Sequence, residues 1–86
     1  MASYRLLIKA SAAKELEAVP KRDRKRLAAR IGGLASNPRP PGAERLSGDE
    51  KYRIRQGDYR ILYLIEAANS TVTIVKIGHR REVYRN

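Results

Sequence analysis

The chain opens on an alternation. In Tyr4-Arg5-Leu6-Leu7-Ile8-Lys9 the apolar side chains at 4, 6 and 8 predict a strand with one buried face. The period then changes. Ala12, Leu16 and Val19 stand at i, i+4 and i+7, a helical stripe that Ser11 is placed to cap, with Lys14, Glu15 and Glu17 off it. Pro20 disfavours helical geometry at Val19, which keeps this helix brief, and suits the first turn of a second helix. There Leu27, Ile31 and Leu34 repeat the spacing, and Ala28 and Ala35 widen the stripe. Gly32-Gly33 weakens the last turns and Asn37-Pro38 closes the helix.

Residues 36–50 hold three of the four prolines and show no period, which predicts an ordered connection anchored by Leu46 rather than a domain linker. From Lys51 the alternation returns. Tyr52-Arg53-Ile54-Arg55, a turn at Gln56-Gly57-Asp58, the run Tyr59 to Glu66, a turn at Asn69-Ser70 and the run Thr71 to Ile77 predict three strands, with a short segment Glu82-Val83-Tyr84 after them. The order β-α-α-β-β-β over 86 residues predicts one α+β domain whose last three strands form an antiparallel meander, with the sheet as the surface on which both helix stripes lie.

Strand geometry makes a sharper statement. With Gly57-Asp58 at the centre of a two-residue hairpin, Arg55 faces Arg60, Ile54 faces Ile61 and Tyr52 faces Tyr63. One face is then Tyr and Ile, and the other gathers Arg53, Arg55 and Arg60 beside Leu62. The same construction at Asn69-Ser70 sets Leu62 opposite Ile77 and Arg60 opposite His79, with Arg80 and Arg81 following. Like charges placed opposite cost about 0.2–1 kcal/mol per pair, which a fold tolerates best where an anion sits between them. The only nearby acids in this reading are Asp58 and Glu82. Solvated arginines on an open face are the plain alternative; convergence from three strands favours a phosphate or carboxylate site.

Composition extends this picture. Lys and Arg number 19 against 9 Asp and Glu, a formal charge of +10, and 13 of the 19 are arginine. Such an excess predicts an anionic partner: nucleic acid, an acidic protein segment or a membrane surface. Part of it lies in a dense run on the second helix, Lys21, Arg22, Arg24, Lys25 and Arg26, with Arg30 on the same helix and only Asp23 opposing it locally. No cysteine and a single histidine argue against a disulfide framework, thiol catalysis and an all-protein transition-metal site, so neither metal nor cofactor is expected. No apolar run approaches the ~20 residues of a membrane span, and no charged-then-apolar leader opens the chain.

The segments YRIRQGDYRILY (Tyr52–Tyr63) and IGHRREVY (Ile77–Tyr84) resemble the RelE toxins of the RelE/ParE superfamily, whose members belong to bacterial and archaeal type II toxin–antitoxin pairs. The likeness also takes in the opening strand, the paired helices and the L-x-G at Leu46–Gly48. It implies a RelE-like microbial RNase fold, a small antiparallel sheet backed by two N-terminal helices, in a cytoplasmic protein, with a basic concave face that holds mRNA in the ribosomal A site. Arg60 matches the arginine of the family's G-x-Y-R element, Arg80 the arginine after the last strand, and Tyr84 the C-terminal tyrosine. Arg53 and Arg55 stand where well-known members carry lysine, and only three residues separate Arg80 from Tyr84.

The reaction that the resemblance implies is metal-independent attack of the RNA's own 2′-hydroxyl on the adjacent phosphate, leaving a 2′,3′-cyclic phosphate and a 5′-hydroxyl. Arginine grips phosphate and stabilises developing charge, but it cannot be deprotonated, so Arg53 and Arg55 cannot serve as general bases. Proton transfer then rests on Tyr84, on His79 or on the ribosome. The helix run with Arg81 is expected to contact ribosomal RNA phosphates without base specificity. The implied protein partner is a cognate antitoxin with an acidic, amphipathic segment in an oligomeric complex. Two other classes remain open at this point: a ParE-type toxin directed at DNA gyrase, and a catalytically degenerate basic binding module.

Overall fold

The computed structural model describes residues 3–46 and 50–80. Strand β1 (Arg5–Ile8) leads into helices α1 (Ala10–Glu17) and α2 (Lys21–Ser36). These are followed by β2 (Glu44–Arg45), β3 (Lys51–Gln56), β4 (Tyr59–Glu66), a 3-10 turn at Ala67–Asn69, and β5 (Thr71–His79). The strands form one sheet in the order β1-β5-β4-β3-β2. The α+β class and both helices agree with the sequence pattern. The sheet is mixed: β2 to β5 form the antiparallel meander, while β1 lies parallel to β5. The helices carry the chain across one face to the far edge, and after three reversals β5 returns beside β1.

Two local expectations change. Ser11 does not cap α1; the N-cap is Lys9, without a side-chain hydrogen bond. The backbone N–H of Lys9 still donates to Ile74 O at 3.0 Å, so the helix begins where the β1–β5 ladder ends, too early for Ser11 to act. Pro20 takes the N-cap position of α2, with the following helix running unbroken through Gly32-Gly33 to Ser36. β2 escapes any reading of periodicity, since two residues carry no period.

The core lies between the helices and one face of the sheet. Leu27, Ile31 and Leu34 of α2 and Ala12 of α1 pack on Ile54, Ile61, Tyr63, Ile65, Val72, Ile74 and Ile77. The connection after α2 is fastened to this core at its start. Tyr63 is fully buried and its hydroxyl donates to Pro38 O at 2.7 Å. Arg39 lies 5.3 Å from the Tyr52 ring centre and donates from Nε to the Tyr52 hydroxyl at 2.9 Å. Leu46, the anchor expected from sequence, is half-buried and its N–H donates to Lys51 O. The opposite face of the sheet carries no helix among the described residues, and the site lies there.

Candidate nucleic-acid interface

The β3–β4 hairpin holds the register that Gly57-Asp58 predicts. Tyr52 faces Tyr63, Ile54 faces Ile61, Arg55 faces Arg60 and Arg53 faces Leu62. Gly57 has φ +60, a backbone region in which glycine is strongly favoured, and this pins the turn. The core takes Tyr52, Ile54 and Ile61, so the arginines must project from the uncovered face. On β5 the residue opposite Arg60 is Gly78, which has no side chain to cover the guanidinium. Arg80 is held beside this group because its N–H donates to Asp58 O at 2.8 Å, tying the end of β5 to the hairpin turn.

Arg60 stands at the centre electrostatically. Partial burial holds its pKa below the ordinary guanidinium value, and the charges of Arg55, Arg53 and Arg80 push it further the same way. Asp58 opposes that shift weakly. A group of four arginines that raise one another's energy is stabilised by any anion that enters it.

The structure corrects the placement of His79. It pairs with Tyr59, not Arg60, and Leu62 pairs with Lys76, not Ile77. The cause is an irregularity between Leu62 and Tyr63: Tyr63 pairs with Ile74 while Leu62 pairs with Lys76, leaving Val75 as an extra residue on β5. The turn is also longer than Asn69-Ser70, a 3-10 turn closed by Ser70 at φ +49. His79 therefore falls on the face of Ile77 and Tyr59, and its ring meets that of Tyr59 edge-on with centroids 5.8 Å apart. The side chains of Tyr84 and Arg81 lie outside the described residues, as do Ser47 and Gly48 of the L-x-G and the acid Glu82.

Sequence reasoning missed Glu44. This residue of β2 pairs with Arg53 across the ladder, and its carboxylate accepts a charged hydrogen bond from the Arg53 guanidinium. That bond, and then the charges of Arg53, Arg55 and Arg60, hold the Glu44 carboxyl below the ordinary carboxylate range. The signal was absent because no turn or period ties residue 44 to residue 53. Glu44 stands where a phosphate oxygen would meet Arg53, and as an ionised carboxylate it is also able to accept a proton.

The helix run is exposed as expected: Lys21, Arg22, Arg24, Lys25 and Arg26 all point to solvent. Arg24 also donates from Nε to Val19 O at 3.3 Å, closing the joint between the helices. Because α2 packs its apolar stripe on the sheet, this run lies on the side of the molecule opposite the arginine face. Among the described residues no group of three or more His, Cys, Asp or Glu side chains is gathered as a metal site, and no helix is long and apolar enough to cross a membrane.

Residues 6–84 match the profile of the family described as the ParE toxin of the type II toxin–antitoxin system parDE. The chain belongs to the RelE/ParE toxin family. Among the relatives of this toxin, a RelE1-named protein of Methanocaldococcus jannaschii is 34% identical over 77 residues, covering 85% of this chain and 86% of that protein. Toxin RelG of Mycobacterium tuberculosis is 41% identical over 34 residues, covering 40% of this chain and 39% of RelG. Of solved structures, the toxin is similar to the archaeal RelE–RelB complex of Pyrococcus horikoshii, with 28% identity, a TM-score of 0.80, and 93% of this chain and 98% of that chain covered. It is also similar to the RelBE2 toxin–antitoxin complex of M. tuberculosis, at 26% identity and a TM-score of 0.77, covering 91% of this chain and 99% of that one. The family profile carries the ParE name while these relatives carry the RelE name, so membership fixes a toxin without fixing its target.

Proposed function

We propose that this toxin is a ribosome-dependent mRNA endonuclease that cleaves in the A site and is neutralised by a cognate antitoxin. One observation carries the reading: Arg53, Arg55, Arg60 and Arg80 converge from β3, β4 and the end of β5 on the sheet face that carries no helix among the described residues, with Arg55 directly opposite Arg60. A like-charge pair held by a rigid hairpin is preorganised to receive a phosphate and to stabilise the extra charge of its pentacoordinate transition state. No step asks for a metal, because the nucleophile is the RNA's own 2′-hydroxyl. Arg60 and Arg80 grip the scissile phosphate in this mechanism, and Arg55 stabilises its developing charge. Arg53, held by Glu44, adds positive potential at the edge of the cluster. Proton transfer rests on Tyr84, with Glu44 as a carboxylate within the same cluster and the ribosome as a further source. His79, turned to the Tyr59 side, acts through the edge of the site rather than from within the arginine cluster.

The antitoxin of this scheme presents an acidic, amphipathic segment that competes with RNA for the arginine face. Other RelE toxins have been solved in complex with RelB, which supports a protein partner of this kind. The basic outer side of α2 suits contact with ribosomal RNA while the opposite face holds mRNA.

Inducible expression, with mRNA 5′ ends mapped on translating ribosomes, tests the proposal. Cleavage in the A site that disappears in Arg80→Ala and falls strongly in Tyr84→Phe is the expected result. Growth arrest with intact mRNA and DNA damage would instead assign the toxin to the gyrase-directed branch that the ParE name denotes. Absence of any arrest would make it a binding module.

A further inference from the structure

The arginine face continues around the edge of the sheet into a cavity that the mechanism above does not use. Leu46 N–H donates to Lys51 O across the β2–β3 ladder, and Glu44 pairs with Arg53. In an antiparallel ladder the hydrogen-bonded positions recur every second residue, so the next pair would join residue 42 to Arg55. That pair does not form. Gly42 has φ +94, Ala43 N–H donates back to Pro40 O at 3.0 Å, and the chain turns away before reaching β3. The N–H of Arg55 is left directed at the outer edge of the sheet.

A cavity of about 400 Å³ occupies this position, lined by Arg30, Gly42, Ala43, Glu44, Ile54 and Arg55. Arg30 reaches it from α2. Among the described residues its buried Nε has no hydrogen-bond partner, and its Nη2 makes one long bond, 3.4 Å, to Pro41 O. Among the described residues no carboxylate lies within ion-pair distance of Arg30 or Arg55, and the carboxylate of Glu44 is engaged by Arg53. A buried guanidinium nitrogen without an acceptor is costly, so a partner of opposite charge belongs there.

We propose that this cavity is a second phosphate seat, in which Arg30 and the Arg55 N–H hold the RNA backbone beside the scissile position. The inference rests on the reading of the arginine face as the RNA site. Arg55 lines both places, so a single strand running over the β3 edge presents one phosphate to the cluster and a neighbouring one to the cavity. The lining has no aromatic ring on which a base could stack, and its cationic and N–H donors suit phosphate oxygens, so the contact is with backbone and is blind to sequence. Arg30 here acts as a binding residue, apart from the solvent-facing run at the start of α2.

Binding of fluorescent 2′-O-methyl oligoribonucleotides, which cannot be cleaved, is measured as a function of salt for the intact protein, Arg30→Gln, Arg30→Lys and Arg60→Gln. Arg30→Gln is expected to weaken binding roughly tenfold at low salt, equally for poly(U) and poly(A) probes. The slope of log K against log salt should fall by about 0.7, the value for one phosphate contact on a single strand. Arg30→Lys should keep the slope and recover part of the affinity, which separates lost charge from lost packing. Weakening by Arg60→Gln with no change in affinity or slope for Arg30→Gln would overturn the second seat while leaving the arginine face intact. No change for either variant would overturn both readings. Loss of affinity for an acidic peptide but not for RNA in Arg30→Gln would reassign the cavity to a protein partner and overturn the phosphate seat.

Discussion

Tyr63 shows how much one side chain takes from its surroundings. By sequence it is an aromatic member of an alternating strand; in the fold it is fully buried and its hydroxyl holds the connection after α2 through Pro38. Burial pushes its phenol from the ordinary 10.0 up to about 12. A raised pKa means that the folded state holds the proton more tightly, so the associated stability is complete below pH 10 and is lost as pH rises towards 12. Tyr63→Phe should flatten that alkaline loss in denaturant melts. At neutral pH it should cost about 0.5–1.5 kcal/mol, because Pro38 O loses its donor. At the same scale, Arg55, Arg60 and Arg80 were legible because their chemistry is carried by residue type and by an adjacent hairpin. Glu44 was not: an acid in a proline-rich connection looks like any surface acid until β2 places it on Arg53.

Among elements, the contrast between the two hairpins is instructive. A two-residue turn with glycine at positive φ leaves one register for β3 and β4, and local sequence contains that turn. The β4–β5 register depends on a longer turn and on a bulge, and neither has a sequence signature. One slipped residue exchanges the two faces, which is why His79 lands beside Tyr59. Helix α1 shows a further device. β1 pairs with β5 only as far as Ile74, so the rest of β5 is an open edge. Glu15 of α1 closes it, accepting from the Ile77 N–H at 2.9 Å and from Lys76 Nζ at 3.1 Å. Glu15→Ala leaves the Ile77 N–H without its acceptor and should destabilise the protein by about 1–2 kcal/mol. For a domain of this size that corresponds to a fall in Tm of roughly 4–16 °C, readable by thermal melt. Faster amide exchange at Ile77 than in the core of β4 would localise the loss to the β5 edge.

For the whole molecule, nine of the 19 Lys and Arg residues lie on two surfaces on opposite sides of the sheet: four on the arginine face and five on the outer side of α2. Under the proposed function, this arrangement would set mRNA against the arginine face and a structural RNA against the outer side of α2. The triple variant Lys21→Gln, Arg22→Gln, Lys25→Gln should weaken ribosome association and make it less salt-dependent, while leaving the affinity for a short oligoribonucleotide near that of the intact toxin. Sedimentation with ribosomes across a salt series checks the first effect, and oligonucleotide binding the second. An oligonucleotide affinity that falls in parallel would mean that the two surfaces act as one.

Sequence by itself determined the α+β class, the two helices, the hairpin register and the convergence of Arg53, Arg55 and Arg60, because each follows from a local period or a two-residue turn. Tertiary structure alone decided three other matters. It turned His79 away from the cluster, set Glu44 on Arg53, and left Arg30 facing a cavity where Gly42 departs from the ladder. All three depend on how segments distant in the chain meet at a bulge or at the end of a short strand, and local periodicity holds no information about where a ladder slips or stops.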